Sequence, residues 1–247
     1  MVPNIKPILQ TSLYGVGSPE IAAAPGWPVV LYFHHISPEA TKYTDLTPKQ
    51  FGYALDLMLE CFRPLHLSAI TGWNLAEATK VPSFVVTLDD GYIDNWQWAV
   101  PVLESRRLRA IFFVVAGEVG RGSARMNWSH LAQLASAGHV IGSHSMTHRK
   151  LTDLTPSEIA TEMSESLQLV KHNTGIDTLL LAYPFGCVPR EMPDSPEIIG
   201  FGTVRTTARP WSKAKHNIRR TYLPSTRDEL WRGLICKWRD QWDQTTG

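Results

Sequence analysis

Phe84-Val85-Val86-Thr87-Leu88, running straight into Asp89-Asp90-Gly91-Tyr92, is the stretch on which the fold turns. Five uncharged residues, mostly β-branched or aromatic, stop abruptly at two carboxylates and a glycine. That is the mark of a strand buried on both faces, with its polar end exposed at one rim of a sheet. The same unit recurs upstream. Val29-Val30-Leu31-Tyr32-Phe33 follows Pro28 and ends in His34-His35. Thr47-Pro48-Lys49-Gln50 then supplies an N-cap, a proline at the first helical position and a reciprocal glutamine, with Phe51, Leu55, Met58 and Leu59 continuing at helical spacing. Downstream, a helix is expected after Gly91 through Arg107, a strand over 110–115, and a helix over 127–137 closed by Gly138. A strand over 139–143 precedes a helix opened by Thr155-Pro156-Ser157-Glu158 and running to His172. A strand over 179–183 stops at Pro184, and 201–205 and 218–223 are weaker strand candidates. Thr226-Arg227-Asp228-Glu229 opens a last helix with Leu230, Leu234 and Trp238 on one face.

Strand–helix alternation repeated about six times implies an α/β fold, a parallel sheet with its helices outside. Such folds place their chemistry beyond the C-terminal ends of the strands. The chain has 247 residues, 43% apolar and 19% charged, an ordinary globular mixture. No composition break divides it, so residues 1–27 are expected to be an irregular lead-in and 28–247 a single domain. The 24 basic and 23 acidic residues nearly cancel to +1, which argues against nucleic acid or an anionic membrane as partner. Residues 1–27 do not resemble a secretory signal, and no apolar run is long enough to span a bilayer, so a soluble, cytoplasmic chain is expected. Cys61, Cys187 and Cys236 are too few and too scattered for a disulfide framework and are expected to be reduced and mostly buried.

Four strand ends carry chemistry: His34-His35, Asp89-Asp90-Gly91-Tyr92, His144-Ser145-Met146-Thr147-His148 and Tyr183-Pro184-Phe185-Gly186. Two histidines four residues apart on a tight loop can face one ion, although ordinary loop histidines show the same spacing. The two adjacent carboxylates need positive compensation, from solvent or from a metal. Two histidines and one aspartate form a three-ligand set with a vacant position, the pattern of a catalytic rather than a structural zinc. The side chains of neighbouring aspartates on an extended segment diverge, which leaves the second free to take a proton.

Thr87-Leu88-Asp89-Asp90-Gly91-Tyr92 resembles the first motif of the polysaccharide deacetylase family, and His144-Ser145-Met146-Thr147-His148 its second. Ala110 to Val114, Trp128 and Ala137 to Ser143 fit the family's run between them, and the resemblance covers residues 28 to 225. It implies a distorted (β/α)7 barrel and hydrolysis of N-acetyl groups from an amino sugar or N-acetylated polysaccharide with a divalent metal, most often Zn2+. Carried over by motif, Asp90, His144 and His148 would ligate the metal, and Asp89 would act as general base on its water. The backbone N–H of Phe185, after Pro184 in the third motif, would meet the oxyanion. Tyr92 and Pro184 are candidate substrate contacts.

Two departures stand out. The family commonly has an arginine where this chain has Ala182, so another cation must orient the base; Arg220 is the candidate, with a solvated surface charge as its other reading. The family's late histidine, the general acid, also has no counterpart, since His216 lies in a polar stretch. Phe33-His34-His35-Ile36 resembles the start of a circularly permuted subset that includes biofilm exopolysaccharide deacetylases, which would make His34 the acid and leave His35 structural. Of nine tryptophans, Trp211 in a polar loop is the candidate groove wall, while Trp96, Trp98, Trp231, Trp238 and Trp242 are expected in the core. Three readings compete on function: a deacetylase of an N-acetylated polymer, a deacylase of a small intracellular N-acyl amino sugar, and a non-catalytic carbohydrate-binding barrel.

Overall fold

The computed structural model describes residues 19–23, 25–177, 179–190 and 197–245. Six parallel strands stand side by side in the order β1 (Val29–Phe33), β3 (Ser83–Leu88), β4 (Ala110–Val114), β5 (Val140–Ser143), β6 (Leu180–Ala182) and β7 (Ile199–Phe201). A two-residue strand, β2 (Arg63–Pro64), pairs with the start of β3. The sheet curls, and residues 218–221 join its two edges. Ile218 donates its N–H to Gly200 O at 2.8 Å, Thr221 to Val30 O at 2.8 Å, and Tyr32 to Thr221 O at 2.9 Å. This segment, expected as a strand over 218–223, is held by isolated bridges to β7 and β1 and closes the barrel without forming a regular strand.

Every residue of β1, β3 and β4 is buried because both faces are covered. Phe33, Phe84, Val86, Leu88 and Phe112 pack outward under the helices. Their alternates Val30, Val85, Ile111 and Phe113 fill the barrel with Ala182, Phe201 and Ile218. Inside, β5 passes so close to Phe113 that a Cβ on Gly142 would lie 2.6 Å from its ring. Two expected capping boxes form, Thr47 with Gln50 on the helix Pro48–Cys61 and Thr155 with Glu158 on Pro156–Thr174, and a third, Asn127 with His130, opens the helix Trp128–Ser136. The last helix, Trp231–Thr245, buries Trp231, Trp238 and Trp242 as expected.

Several expectations are corrected. Part of the lead-in is ordered: Pro19–Ala22 is one helical turn, and Ile21 and Trp27 are buried in the core. Residues 1–18 and 24 lie outside the described set. The helix expected from Gly91 to Arg107 is a π-helical turn, Asn95–Ala99, followed by an α-helix, Val100–Ser105. Val100 N–H reaches five residues back to Asn95 O; Pro101 has no N–H to continue a regular ladder, so the register shifts just before it. The strand expected over 201–205 is instead Ile199–Phe201, and the chain turns where Thr206 N–H bonds to Thr203 O. Trp98 is exposed, and Cys61 and Cys187 are only half-buried while Cys236 is exposed.

Candidate metal centre and active site

The polar strand ends converge at one rim on a cavity of about 810 Å3, lined by residues following β1, β3, β5, β6 and β7 and by the closing segment. Asp90 leaves β3 with φ 71 and Gly91 follows with φ 70, so the chain reverses within two residues. A Cβ on Gly91 would come within 3.0 Å of Val114, which leaves room only for glycine there. The turn is pinned by Met126 N–H to Gly91 O at 2.9 Å and by an Arg125 guanidinium N–H to Asp90 O at 2.8 Å.

Asp90 Oδ1 faces His148 Nε2 at 3.3 Å and His144 Nε2 at 3.5 Å, and the three ligand atoms lie within 4.8 Å of one another. Asp90 Oδ1 is buried yet accepts no hydrogen bond among the described residues. His144 Nδ1 donates to Ala182 O at 2.7 Å, which fixes the tautomer and leaves Nε2 as a lone-pair donor. Burial, then the neighbouring His144, pushes the His148 pKa below its usual value against the pull of Asp90 and Asp89, so a neutral imidazole is favoured. A buried carboxylate oxygen without a proton donor, facing two imidazole Nε2 atoms, is a donor set suited to a divalent cation.

Residues 145–148 form a tight loop in which Ser145 and His148 both have positive φ. Ser145 N–H bonds to Ser143 Oγ at 3.1 Å, and His148 N–H bonds to Ser145 Oγ at 3.0 Å. Across the loop, Glu162 of the helix Pro156–Thr174 accepts the Met146 and Thr147 N–H groups at 2.9 Å each and the Thr147 hydroxyl. Sequence reasoning missed Glu162. The signal was a carboxylate on the apolar face formed by Ile159, Met163 and Val170.

Asp89 points into the barrel with Thr87, as strand alternation requires. Arg220, 1% exposed, meets it in a bidentate pair, Nη1 to Oδ1 at 2.7 Å and Nη2 to Oδ2 at 2.8 Å. The guanidinium also donates to Gly202 O at 2.8 Å and Thr87 Oγ1 at 3.0 Å. Burial raises the Asp89 pKa, but the Arg220 charge, His144 and the Arg220 hydrogen bonds outweigh it and hold the carboxyl at about 2. Arg220 is thus a buried partner of the carboxylate, reaching it from the closing segment.

His34, at the end of β1, lines the cavity with Asp89, Asp90 and His144. Its carbonyl accepts from the buried Asn95 amide at 2.7 Å, and its Nδ1 is buried with no hydrogen-bond partner among the described residues. Burial lowers the His34 pKa, opposed by Asp89 and Asp90. His35 is tied away by Asp94 Oδ2 at 2.5 Å, but its ring stacks on Tyr92 at 3.7 Å and both border the cavity. Phe185 has φ 58 and a half-exposed ring 4.8 Å from that of His148; no hydrogen bond engages its N–H among the described residues.

Two candidates fall away from the site. Trp211 is 2% exposed and stacked on Trp73 at 5.9 Å in the barrel interior cluster, so it forms no groove wall: the flat indole fills the core instead of facing solvent. Pro184 is buried and does not line the cavity; it starts the turn that presents Phe185.

A family model described as polysaccharide deacetylase matches residues 76–203, more than half of the chain. The protein YxkH of Bacillus subtilis (strain 168) is 31% identical over 123 residues, half of this chain and 44% of that protein. The peptidoglycan-N-acetylmuramic acid deacetylase PdaA of the same organism is 29% identical over 159 residues, 64% of this chain and 55% of that one. The matched region therefore spans about half the length of these relatives. In fold, the chain is similar to the Streptococcus pyogenes deacetylase PplD in complex with acetate, with a TM-score of 0.71 at 21% identity over 85% of this chain and 99% of that one. It is also similar to IcaB from Ammonifex degensii, with a TM-score of 0.66 at 21% identity over 87% and 97%. By this match, carrying both the Asp89-Asp90 and the His144–His148 motifs, the chain belongs to the polysaccharide deacetylase family.

Proposed function

We propose that this chain is a metal-dependent carbohydrate N-deacetylase that releases acetate from an N-acetylated amino sugar, free or within a polysaccharide. The observation that carries the reading is the meeting of Asp90, His144 and His148 beside an aspartate locked by a buried arginine, in one cavity. Zn2+ suits the two imidazoles and one carboxylate best. Bound there, a divalent cation would polarise the acetyl carbonyl and acidify water.

The chain's own groups supply the rest. Asp89 takes the proton of the attacking water, while Arg220 fixes its carboxylate and keeps it ionised. The Phe185 N–H, held outward by the left-handed backbone, donates to the oxyanion as the carbonyl becomes tetrahedral. His34 protonates the departing nitrogen, since an amide anion is too basic to leave unaided. The buried, unpartnered Nδ1 supports a ring reserved for a proton exchange rather than for packing. Tyr92, stacked on His35 under the Arg125 guanidinium at 4.3 Å, offers a rigid wall for the sugar.

The test is acetate release from N-acetylated sugars by the metal-loaded chain. Asp89→Asn is expected to keep the metal and lose turnover, and His34→Gln to lose turnover with little change in metal affinity. Turnover retained in Asp89→Asn would remove it as the base. The absence of acetate from every sugar tried, with metal bound, would favour the non-catalytic barrel. No helix among the described residues is long and apolar enough to cross a membrane.

A further inference from the structure

The charges around the cavity are distributed unevenly. Three carboxylates line it, and none faces open solvent. Asp89 is paired with Arg220, Asp90 faces the two histidines, and Asp45 is buried, accepting the Lys42 N–H at 3.2 Å. Every exposed ionised side chain on the lining is a cation: Lys42, Lys150 and Arg205. This occurs in a chain whose net charge is only +1, so the excess is local. The cations come from three separate segments, after β1, after the metal-ligand loop and after β7, and line one cavity instead of forming one charged run.

Their position relative to the chemistry is also defined. Lys150 Nζ stands 5.6 Å from the Phe185 ring, which packs 4.8 Å from the His148 ring. Phe185 and Tyr43 are the large hydrophobic side chains exposed at this mouth. Aromatic faces beside ammonium and guanidinium groups suit a sugar ring that carries an anionic substituent. A neutral glycan would gain the aromatic contacts without a charged one, and a free-amine product would be repelled.

We propose that the preferred substrate is an anionic N-acetylated amino sugar, with a carboxylate or phosphoryl group on the acetylated ring or its neighbour, held by Lys42, Lys150 and Arg205. This rests on the deacetylase reading above and narrows its substrate class. Association is steered by the same charges and weakens with salt, because these groups are exposed.

The experiment compares three saccharides of matched length with the zinc-loaded chain: a neutral N-acetylglucosamine oligomer, one bearing an ether-linked lactyl carboxylate, and one bearing a phosphoryl group. Binding is measured by calorimetry and acetate release by an enzymatic assay. At least one anionic saccharide is expected to bind, and to be turned over at kcat/KM, roughly fivefold or more better than the neutral one at low salt. That preference should shrink in 0.5 M salt, as screening shortens to a few ångströms, and in Lys150→Gln/Arg205→Gln. The two anionic arms identify the source of the charge. Equal or better binding of the neutral oligomer, or a preference untouched by the double substitution, overturns the proposal. Selective binding of the anionic saccharide without acetate from any sugar would sustain the rim's role and sink the deacetylase reading instead.

Discussion

Replacing Arg220 with methionine keeps most of the buried stem and removes the charge, so it isolates what the guanidinium does for Asp89. Four hydrogen bonds disappear, two of them to the carboxylate. A buried ion stripped of its partner costs about 3–5 kcal/mol. A second route gives a slightly smaller figure: holding the Asp89 carboxyl at about 2 instead of 3.8, at about 1.4 kcal/mol per pH unit, is worth about 2–3 kcal/mol at neutral pH. Because the folded-state pKa is depressed, that stabilisation is complete above 3.8 and is lost as the pH falls through about 2. In Arg220→Met the burial penalty dominates and the carboxyl pKa rises. The variant should therefore be least stable relative to wild type at pH 7, with the deficit shrinking towards pH 4 as the carboxyl takes up a proton. Urea unfolding at the two pH values measures both. A deficit below about 1 kcal/mol at pH 7, or one that does not change with pH, refutes the pairing as the source of stability. Arg220→Met/Asp89→Asn should recover part of the loss, since the buried charge is gone from both sides.

Glu162→Gln should weaken metal binding roughly 10- to 100-fold in a competition titration, because the loop carrying His148 loses a charged acceptor of three hydrogen bonds. Trp211→Ala should destabilise the chain by about 3–5 kcal/mol in urea and, in the folded enzyme, leave KM for the sugar unchanged. A raised KM with stability intact would return Trp211 to the groove. Gly142→Ala should cost about 1–3 kcal/mol of unfolding free energy, as its methyl group drives into the Phe113 ring.

The strand ends were legible because period-two alternation is strict. Val85, Thr87 and Asp89 share the inner face of β3, and Tyr32 and His34 that of β1, so the residues at the rim follow from the strand boundaries. Helix starts were legible where a cap, a proline and a reciprocal side chain coincide, as at Thr47 and Thr155. The rest depended on contacts remote in sequence. Asp89 and Arg220 are 131 residues apart; Arg220 is a candidate because the family resemblance calls for a cation that Ala182 does not supply, while nothing local in Arg219-Arg220-Thr221 shows which arginine aims into the barrel. Trp211 misled because a polar loop surrounds it, while its partner Trp73 lies in a segment with no clear period. The closing segment escaped strand formation because β7 and β1 each grip it at only one position.

The proposed chemistry depends on one divalent cation held by Asp90, His144 and His148. Titrating the chelator-treated chain with zinc in a calorimeter measures this most directly. One equivalent should bind, with the isotherm lost in Asp90→Ala and His148→Ala while both variants keep the wild-type circular dichroism. No binding at millimolar zinc, or an isotherm unchanged by either substitution, would contradict it.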